Sequence, residues 1–379
     1  VTDWRLPLAD VRLSEAAIQA SMDALRSNWL TMGPRTQDLE REFAERHGAA
    51  HAIACSSGGA ALHLAGLAAR IEPGDEVIVP AVGFVADAHV AHWCGGTTVF
   101  ADVESAERPL IAVDSVAALI TERTKAVMAV HMFGYACDMD GLHALCDERG
   151  IAVIEDCCEA AGATLADGSP IGTASLAGCF SFFAKTQLPV GEGGIVITDD
   201  EEAADRMRLL RSHAMTSVTW DRHRGHAETY DVTDLGYNYR LDEPRAAMAR
   251  VHLEGLDEKL GALRSTVGRY RERLAGVEGV ETPFTDEGVM RSGHFAFPIV
   301  FADRETRDRV RAELIERRIQ TTYYPAITKL DLYVAQGAEN PCPKAEDFAA
   351  RHLAMPLSTA MSADDVDLAC DELVAALHG

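Results

Sequence analysis

The chain contains only five lysines, and Lys185 is the one whose neighbours single it out. It follows the aromatic residues Phe180, Phe182 and Phe183 and precedes a glycine-rich stretch, 191–194. An amine held between an apolar strand and a glycine turn suits covalent chemistry with a carbonyl compound, because a partly desolvated lysine is an effective nucleophile. The ordinary alternative is a surface lysine at a strand end, and the residue alone does not decide between them.

Three other features give that amine a context. Ser56, Ser57, Gly58, Gly59 and Ala60 lie between a short apolar strand and a helix. Backbone N–H groups at a helix start attract anions, and glycines let a phosphate approach closely. Phe84 follows a second strand, where an aromatic ring can stack on a planar ligand or simply fill the core. Glu155, Asp156 and Glu159 stand at the C-terminal end of an apolar strand, the edge at which open α/β sheets bind ligands. A carboxylate there can hold the proton of a pyridinium nitrogen, although Asp156 can equally cap the backbone that follows. A phosphate cradle, a stacking ring, a pyridine-binding acid and an amine together describe a site for pyridoxal 5'-phosphate and its amine form, pyridoxamine 5'-phosphate. The combination is far more specific than any one member.

The elements that must position these residues alternate. Apolar runs at 52–55, 76–80, 98–102, 124–130 and 151–155 read as strands, with helices at 60–70, 84–93 and 139–149 between them. Residues 180–183 and 194–198 read as later strands of the same sheet, joined by the Lys185 loop. Near-uniformly apolar strands separated by helices imply a mostly parallel sheet covered on both faces. A helix is expected just after Pro34, with Thr36 as N-cap, running to His47. The polar stretch 211–234 carries His213, Trp220, His223, His226 and Tyr230, and a stretch of this length in a compact protein is often functional or interfacial. A helix is expected from near Asp242 past Arg273, with a break at Gly261. Strands at 294–300 and 320–324 and helices at 304–317 and 362–377, the last capped by Ser362, read as a smaller α+β unit. The expected division is a large cofactor-binding domain, 1–255, and a small C-terminal domain, 256–379.

Composition bounds the partners. Among 379 residues, 47% are hydrophobic and 25% charged, and the formal net charge of −24 comes with no basic stretch. Nucleic acid is therefore not expected as the main ligand. No run of eighteen apolar residues is present, so no membrane span is expected. The first residues show no signal-peptide pattern. The nine cysteines lack Cys-x-x-Cys spacing and read as free thiols in a reducing cytoplasm, with no metal site.

With these residues in view, the chain resembles the DegT/DnrJ/StrS aminotransferases over nearly its whole length. The likeness is carried by segments 29–34, 73–80, 153–156, 179–183, 191–194, 236–242, 323–325 and 355–357. The resemblance implies an α/β, aspartate aminotransferase-like fold (fold type I), with a large mostly parallel-sheet domain and a smaller C-terminal α+β domain. It also implies a homodimer with shared active sites. The implied reaction moves an amino group from glutamate or glutamine to a keto sugar, nucleotide-linked, or to a cyclitol, in amino-sugar or natural-product biosynthesis. Residue by residue, the resemblance assigns Gly59, Ala60 and Ser181 to the phosphate, Phe84 to stacking and Asp156 to the pyridine nitrogen. Glu159 falls near the ring oxygen, and Asn238 would reach the phosphate of the other subunit.

Three departures from the family pattern stand out. Gly59 and Gly83 each occupy a position where threonine is frequent. Counting back from 191–194, the family lysine falls on Thr186, and Lys185 lies one residue earlier. A register shift that brings Lys185 into the site, a homologue changed by Thr186, and a substitution at 186 are all compatible with the sequence. An extended backbone would send neighbouring side chains to opposite sides, so the first account needs a local adjustment. The second opens two rival functions. One is a pyridoxamine phosphate-dependent sugar dehydratase working without a Schiff-base lysine, and the other is a non-catalytic cofactor-binding homologue.

Overall fold

The computed structural model describes residues 3–217, 223–225 and 228–379, so Trp220 and His226 lie outside the described residues. Helices α1 (Glu15–Arg26) and α2 (Pro34–His47) precede the first strand. The chain then alternates through β1 (His51–Cys55), α3 (Gly58–Ala68), β2 (Glu76–Pro80), α4 (Val85–Trp93) and β3 (Thr97–Ala101). It continues with α5 (Val113–Leu119), β4 (Thr124–Val130), α6 (Met139–Cys146) and β5 (Ala152–Asp156). Strands β6 (Ala177–Ser181) and β7 (Gly194–Thr198) and helix α7 (Glu201–Leu210) follow.

The seven strands form one sheet in the order β1-β7-β6-β5-β4-β2-β3. All neighbours pair in parallel except the two pairs made by β7. Alternate residues feed opposite faces, as the two-residue period of a strand requires. Ile53 and Val196 point into the larger core, while Ala52, Ala54, Phe180, Ile195 and Ile197 pack with Leu39 and Phe43 of α2 in a second cluster. Both faces are covered, which is why the strands read as unbroken apolar runs.

The C-terminal part begins with α8 (Glu243–Glu254) and α9 (Leu256–Leu274). It adds α10 (Asp286–Arg291), β8 (Phe297–Val300), α11 (Arg304–Glu316), α12 (Val334–Glu339), α13 (Pro343–Arg351), β9 (His352–Met355) and α14 (Ala363–His378). Strands β8 and β9 form a two-stranded antiparallel sheet. The architecture is the aspartate aminotransferase-like fold expected from the sequence.

Three local expectations are corrected. Thr36 is not the N-cap of α2, which starts one turn earlier behind Gly33. Thr36 is instead buried, and its Oγ1 donates to Glu243 at 3.0 Å. Glu243 also accepts the N–H groups of Gly33, Arg35 and Thr36, so a buried carboxylate from α8 does the capping. The break in the long helix falls at Gly255, not Gly261. A Cβ at Gly261 would meet nothing within 4 Å, so this glycine sits on an open helix face. Segment 320–324 forms no named strand; Thr322 makes only an isolated bridge to Ala354. The closing helix is as expected, with a capping box between Ser362 and Asp365.

Candidate active site

Register brings the candidate residues to one edge. Parallel pairing puts the C-terminal ends of β4, β5 and β6 side by side, with Val130 opposite Asp156 and Asp156 opposite Cys179. The reversed strand β7 begins at that same edge, where Gly194 pairs with Ser181 on one side and Cys55 on the other. Residues distant in sequence therefore meet where β1 hands over to α3.

The α3 start is assembled to close tolerance. Ser57 is its N-cap, and Ser57 Oγ accepts the Ala60 N–H at 3.1 Å. The N–H groups of Gly58 and Gly59 head the same first turn, where helix geometry supplies no internal acceptor. A Cβ at Gly58 would lie 2.9 Å from Cys158 Sγ and 2.9 Å from Ser181 Cβ. A Cβ at Gly194 would lie 2.5 Å from Ser57 O. Only glycine at both points lets α3 dock against β6 and β7, with Ser181 Oγ beside its first turn. Gly59 differs, since the nearest atoms to a Cβ there are 3.8 and 3.9 Å away. The missing threonine leaves room rather than a clash.

The three acids after β5 separate into different roles. Glu155 is fully buried and turns away to His131, whose Nε2 lies 2.9 Å from its Oε2. Glu155 also accepts the Gly172 N–H at 2.8 Å. His131 Nδ1 takes the Cys137 N–H at 3.1 Å, so Nε2 carries the proton toward Glu155. Cys157 completes a compact His131–Glu155–Cys157 cluster, with its Sγ 3.9 Å from Glu155 O. Asp156 keeps one oxygen on the Cys158 N–H at 2.8 Å, so part of its capacity does cap the local backbone. Glu159 is half-buried and accepts the Phe133 N–H at 2.7 Å. Burial pushes the Glu159 carboxyl up to about 8, with Asp156 adding to the rise while the Phe133 N–H and the Lys185 charge oppose it. Phe133 reaches this position with φ of 59°, an unfavourable value for a non-glycine residue that the surrounding wall fixes.

The loop between β6 and β7 is a turn, not an extended strand. Thr186 N–H donates to Phe183 O at 3.0 Å, placing Lys185 inside the turn. The alternation argument against Lys185 therefore does not apply here. Thr186 is buried, and its hydroxyl donates to Ser181 O at 3.0 Å and to Phe183 O at 2.9 Å. Lys185 is half-buried, with Nζ 5.0 Å from the centre of the Phe295 ring, and its charge reaches Glu159. Gln187 Nε2 ties the loop to Glu159 O at 2.8 Å and to Gly293 O at 2.7 Å. Lys259 Nζ holds it from below through Gln187 O at 2.8 Å. Lys185, Thr186, His294 and Phe295 line a cleft of about 380 Å³ whose walls include none of Asp156, Glu159 or Ser181.

Phe84 is the N-cap of α4 and is 65% exposed, leaving its ring free for a ligand or a second chain. Asn238 is exposed on the segment bridged to Ser212, and among the described residues its side chain makes no hydrogen bond to the cradle. Sequence reading missed Asp87, Phe133, Gln187 and Phe295. Only Asp87 left a usable signal: a carboxyl three residues after Phe84, in the apolar first half of a helix.

Fold and site edge together have the aspartate aminotransferase-like architecture of fold type I. The model of the DegT/DnrJ/EryC1/StrS aminotransferase family matches residues 11–374, and the chain belongs to that family. It is 34% identical over 371 residues to the spore coat polysaccharide biosynthesis protein SpsC of Bacillus subtilis, covering 96% of this chain and 94% of that protein. It is also 34% identical over 381 residues to the UDP-N-acetyl-3-dehydro-alpha-D-glucosamine 3-aminotransferase of Acidithiobacillus ferrooxidans, covering 99% and 98%. The crystal structure of the aminotransferase TlmJ from Streptoalloteichus hindustanus superposes with a TM-score of 0.90 at 30% identity, covering 99% of each chain.

Proposed function

We propose that this chain transfers an amino group from glutamate or glutamine to a keto sugar carried on a nucleotide, or to a cyclitol, using pyridoxal phosphate and Lys185 as the working amine. The carrying observation is the turn at 183–186, which buries Thr186 against backbone carbonyls and leaves Lys185 Nζ at the edge with Asp156 and Glu159. The other four lysines are placed elsewhere. Lys125 lies near the opposite end of β4, Lys259 is bonded to the loop backbone, and Lys329 and Lys344 pair with Glu346 and the Glu104 carbonyl. The relatives support the sugar substrate, since one is named as a 3-aminotransferase of a UDP-linked dehydro sugar.

The residues present fit the cofactor. The first turn of α3 and Ser181 Oγ would hold the phosphate, Phe84 would cover one ring face, and Asp156 would bind the pyridine nitrogen. The bound cofactor supplies an electron sink for the bond broken at the amino carbon. Glu159, neutral below about 8, would donate to the ring oxygen while its other oxygen stays on Phe133 N–H. Lys185 would take the proton from the amino donor's Cα and return it on the cofactor side, acting as base and then acid. Exposed Phe84, Phe183 and Leu235 support a homodimer in which Asn238 completes the partner's cradle.

Borohydride treatment of the pyridoxal phosphate-loaded chain, followed by peptide mapping, tests the amine. Modification is expected at Lys185, and a modified Lys259 or no modified lysine would overturn the assignment. Buried Thr186 favours one second reading, a sugar dehydratase using pyridoxamine phosphate. Water loss from the sugar without matching conversion of glutamate would select it.

A further inference from the structure

Asp87 is the one carboxyl on α4, and it faces inward, fully buried. Neither of its oxygens has a hydrogen-bond partner among the described residues. A buried carboxylate left in that condition is costly. The chain makes room for it all the same: a Cβ at Gly83 would come within 3.0 Å of Asp87 Oδ2.

What Asp87 faces is another acid. Its carboxyl lies within hydrogen-bond reach of Asp156, and Glu159 adds a further acid from the same loop. The Cys158 and Cys179 thiols also lie close enough to feel the Asp87 charge. The Phe84 N–H from its own helix pulls the other way without completing a hydrogen bond. Burial first, and Asp156 second, hold the Asp87 carboxyl well above the usual carboxylate range. Two carboxyls at contact distance cannot both ionise without strong repulsion, whereas one shared proton turns that repulsion into a short, charge-assisted hydrogen bond.

We infer that Asp87 is a positioning residue for the pyridine-binding acid: it keeps one proton, donates it to Asp156, and so fixes the Asp156 carboxyl between Cys158 N–H and the cofactor ring. The pair then carries a single negative charge, enough for one pyridinium. The positioning role rests on the assignment of Asp156 made above; the acid pair itself does not, which separates the two in experiment.

The full chain without cofactor is compared with Asp87→Asn, whose amide can donate to Asp156 but cannot titrate. Asp87 has its affinity for the proton raised by folding, so its contribution to stability is complete below the unfolded value, near 3.9, and is lost as pH rises through the folded value. From pH 5 upward, the folding equilibrium constant of the wild type should fall relative to D87N by about tenfold per pH unit until Asp87 ionises. The infrared carbonyl band of protonated carboxyls at pH 7 should lose intensity in D87N. Parallel stability curves with an unchanged band would overturn the pair and leave Asp87 a helix-capping acid. If D87N does not fold, Asp156→Asn decides: the wild-type band should titrate at lower pH once its neighbour is uncharged, and an unmoved band refutes the pair.

Cofactor uptake then tests the positioning role. Pyridoxal phosphate affinity should stay within about threefold in D87N and weaken about tenfold or more in Asp87→Leu, which removes the donor. Equal affinity in all three would refute positioning. A wild type that takes up no pyridoxal phosphate would refute the Asp156 assignment, while the curves measured without cofactor would still report on the pair.

Discussion

The two sides of Ser181 are built on different terms. Toward α3, the cradle is set by strand register and by glycines with no tolerance, since a Cβ at Gly58 or Gly194 would come within 3 Å of neighbouring atoms. Toward β7, the loop carrying Lys185 and Thr186 is held by a turn, by Gln187 and by Lys259. The first side is set by register because a sheet transmits position from strand to strand. The second sets the directions of Lys185 and Thr186 through the turn's own local hydrogen bonds rather than through strand alternation. Motif spacing therefore fixes side-chain direction on the register-built side and leaves it to local hydrogen bonding on the loop side.

The largest expected effect breaks the loop side. Lys185→Ala should lower the aminotransfer rate by about 10²- to 10⁴-fold, the range for losing a positioned acid–base group, with folding unchanged. Steady-state kinetics alongside thermal unfolding would check both halves. Adding Thr186→Lys to that variant should not restore activity, because position 186 is buried and turned to Ser181 O and Phe183 O. Recovery in the double variant would mean that the loop adopts the family register after all.

Shared sites can be tested by mixing subunits. Lys185→Ala and Asn238→Ala chains, each impaired alone, should together regain roughly one quarter of wild-type activity if Asn238 serves the partner's site, since half the dimers then hold one intact site. No gain on mixing would place Asn238 outside the site.

The cradle side should respond first in stability. Gly58→Ala should cost about 1–3 kcal/mol, the usual range for overpacking, and should weaken cofactor binding, as denaturant titration and absorbance would show. Gly59→Thr is the contrasting case on the same turn. A Cβ there meets only ordinary van der Waals contacts, so stability should stay within about 0.5 kcal/mol, with phosphate affinity unchanged or improved.

A smaller effect lies in pH. Glu159 is neutral below about 8 and loses its proton above it, so any step using the acid form should fade as pH rises through about 8. Its contribution to stability has the same sign: complete below the unfolded value, near 4.3, and lost through about 8. Glu159→Gln keeps a neutral donor and should flatten the basic limb of the rate profile.

Much of the fold was legible because apolar runs of strand length, separated by helices, leave few arrangements that cover both faces of a sheet. Helix ends were less legible. Thr36 has the right chemistry for an N-cap, but Glu243, more than two hundred residues later, supplies the capping oxygens. The acids after β5 show the same limit, since Glu155, Asp156 and Glu159 look equivalent in sequence and face His131, Asp87 and Phe133 in space.

The sequence by itself determined the sheet-forming runs, the glycine cradle between β1 and α3, and the presence of a lysine before 191–194. These depend on local periodicity and on residue types with one evident use. Only the tertiary structure decided that Lys185 rather than Thr186 stands at the open edge, and that Asp87 lies against Asp156. Both outcomes depend on contacts between elements far apart in the chain, where side-chain direction follows from packing and hydrogen bonding rather than from spacing.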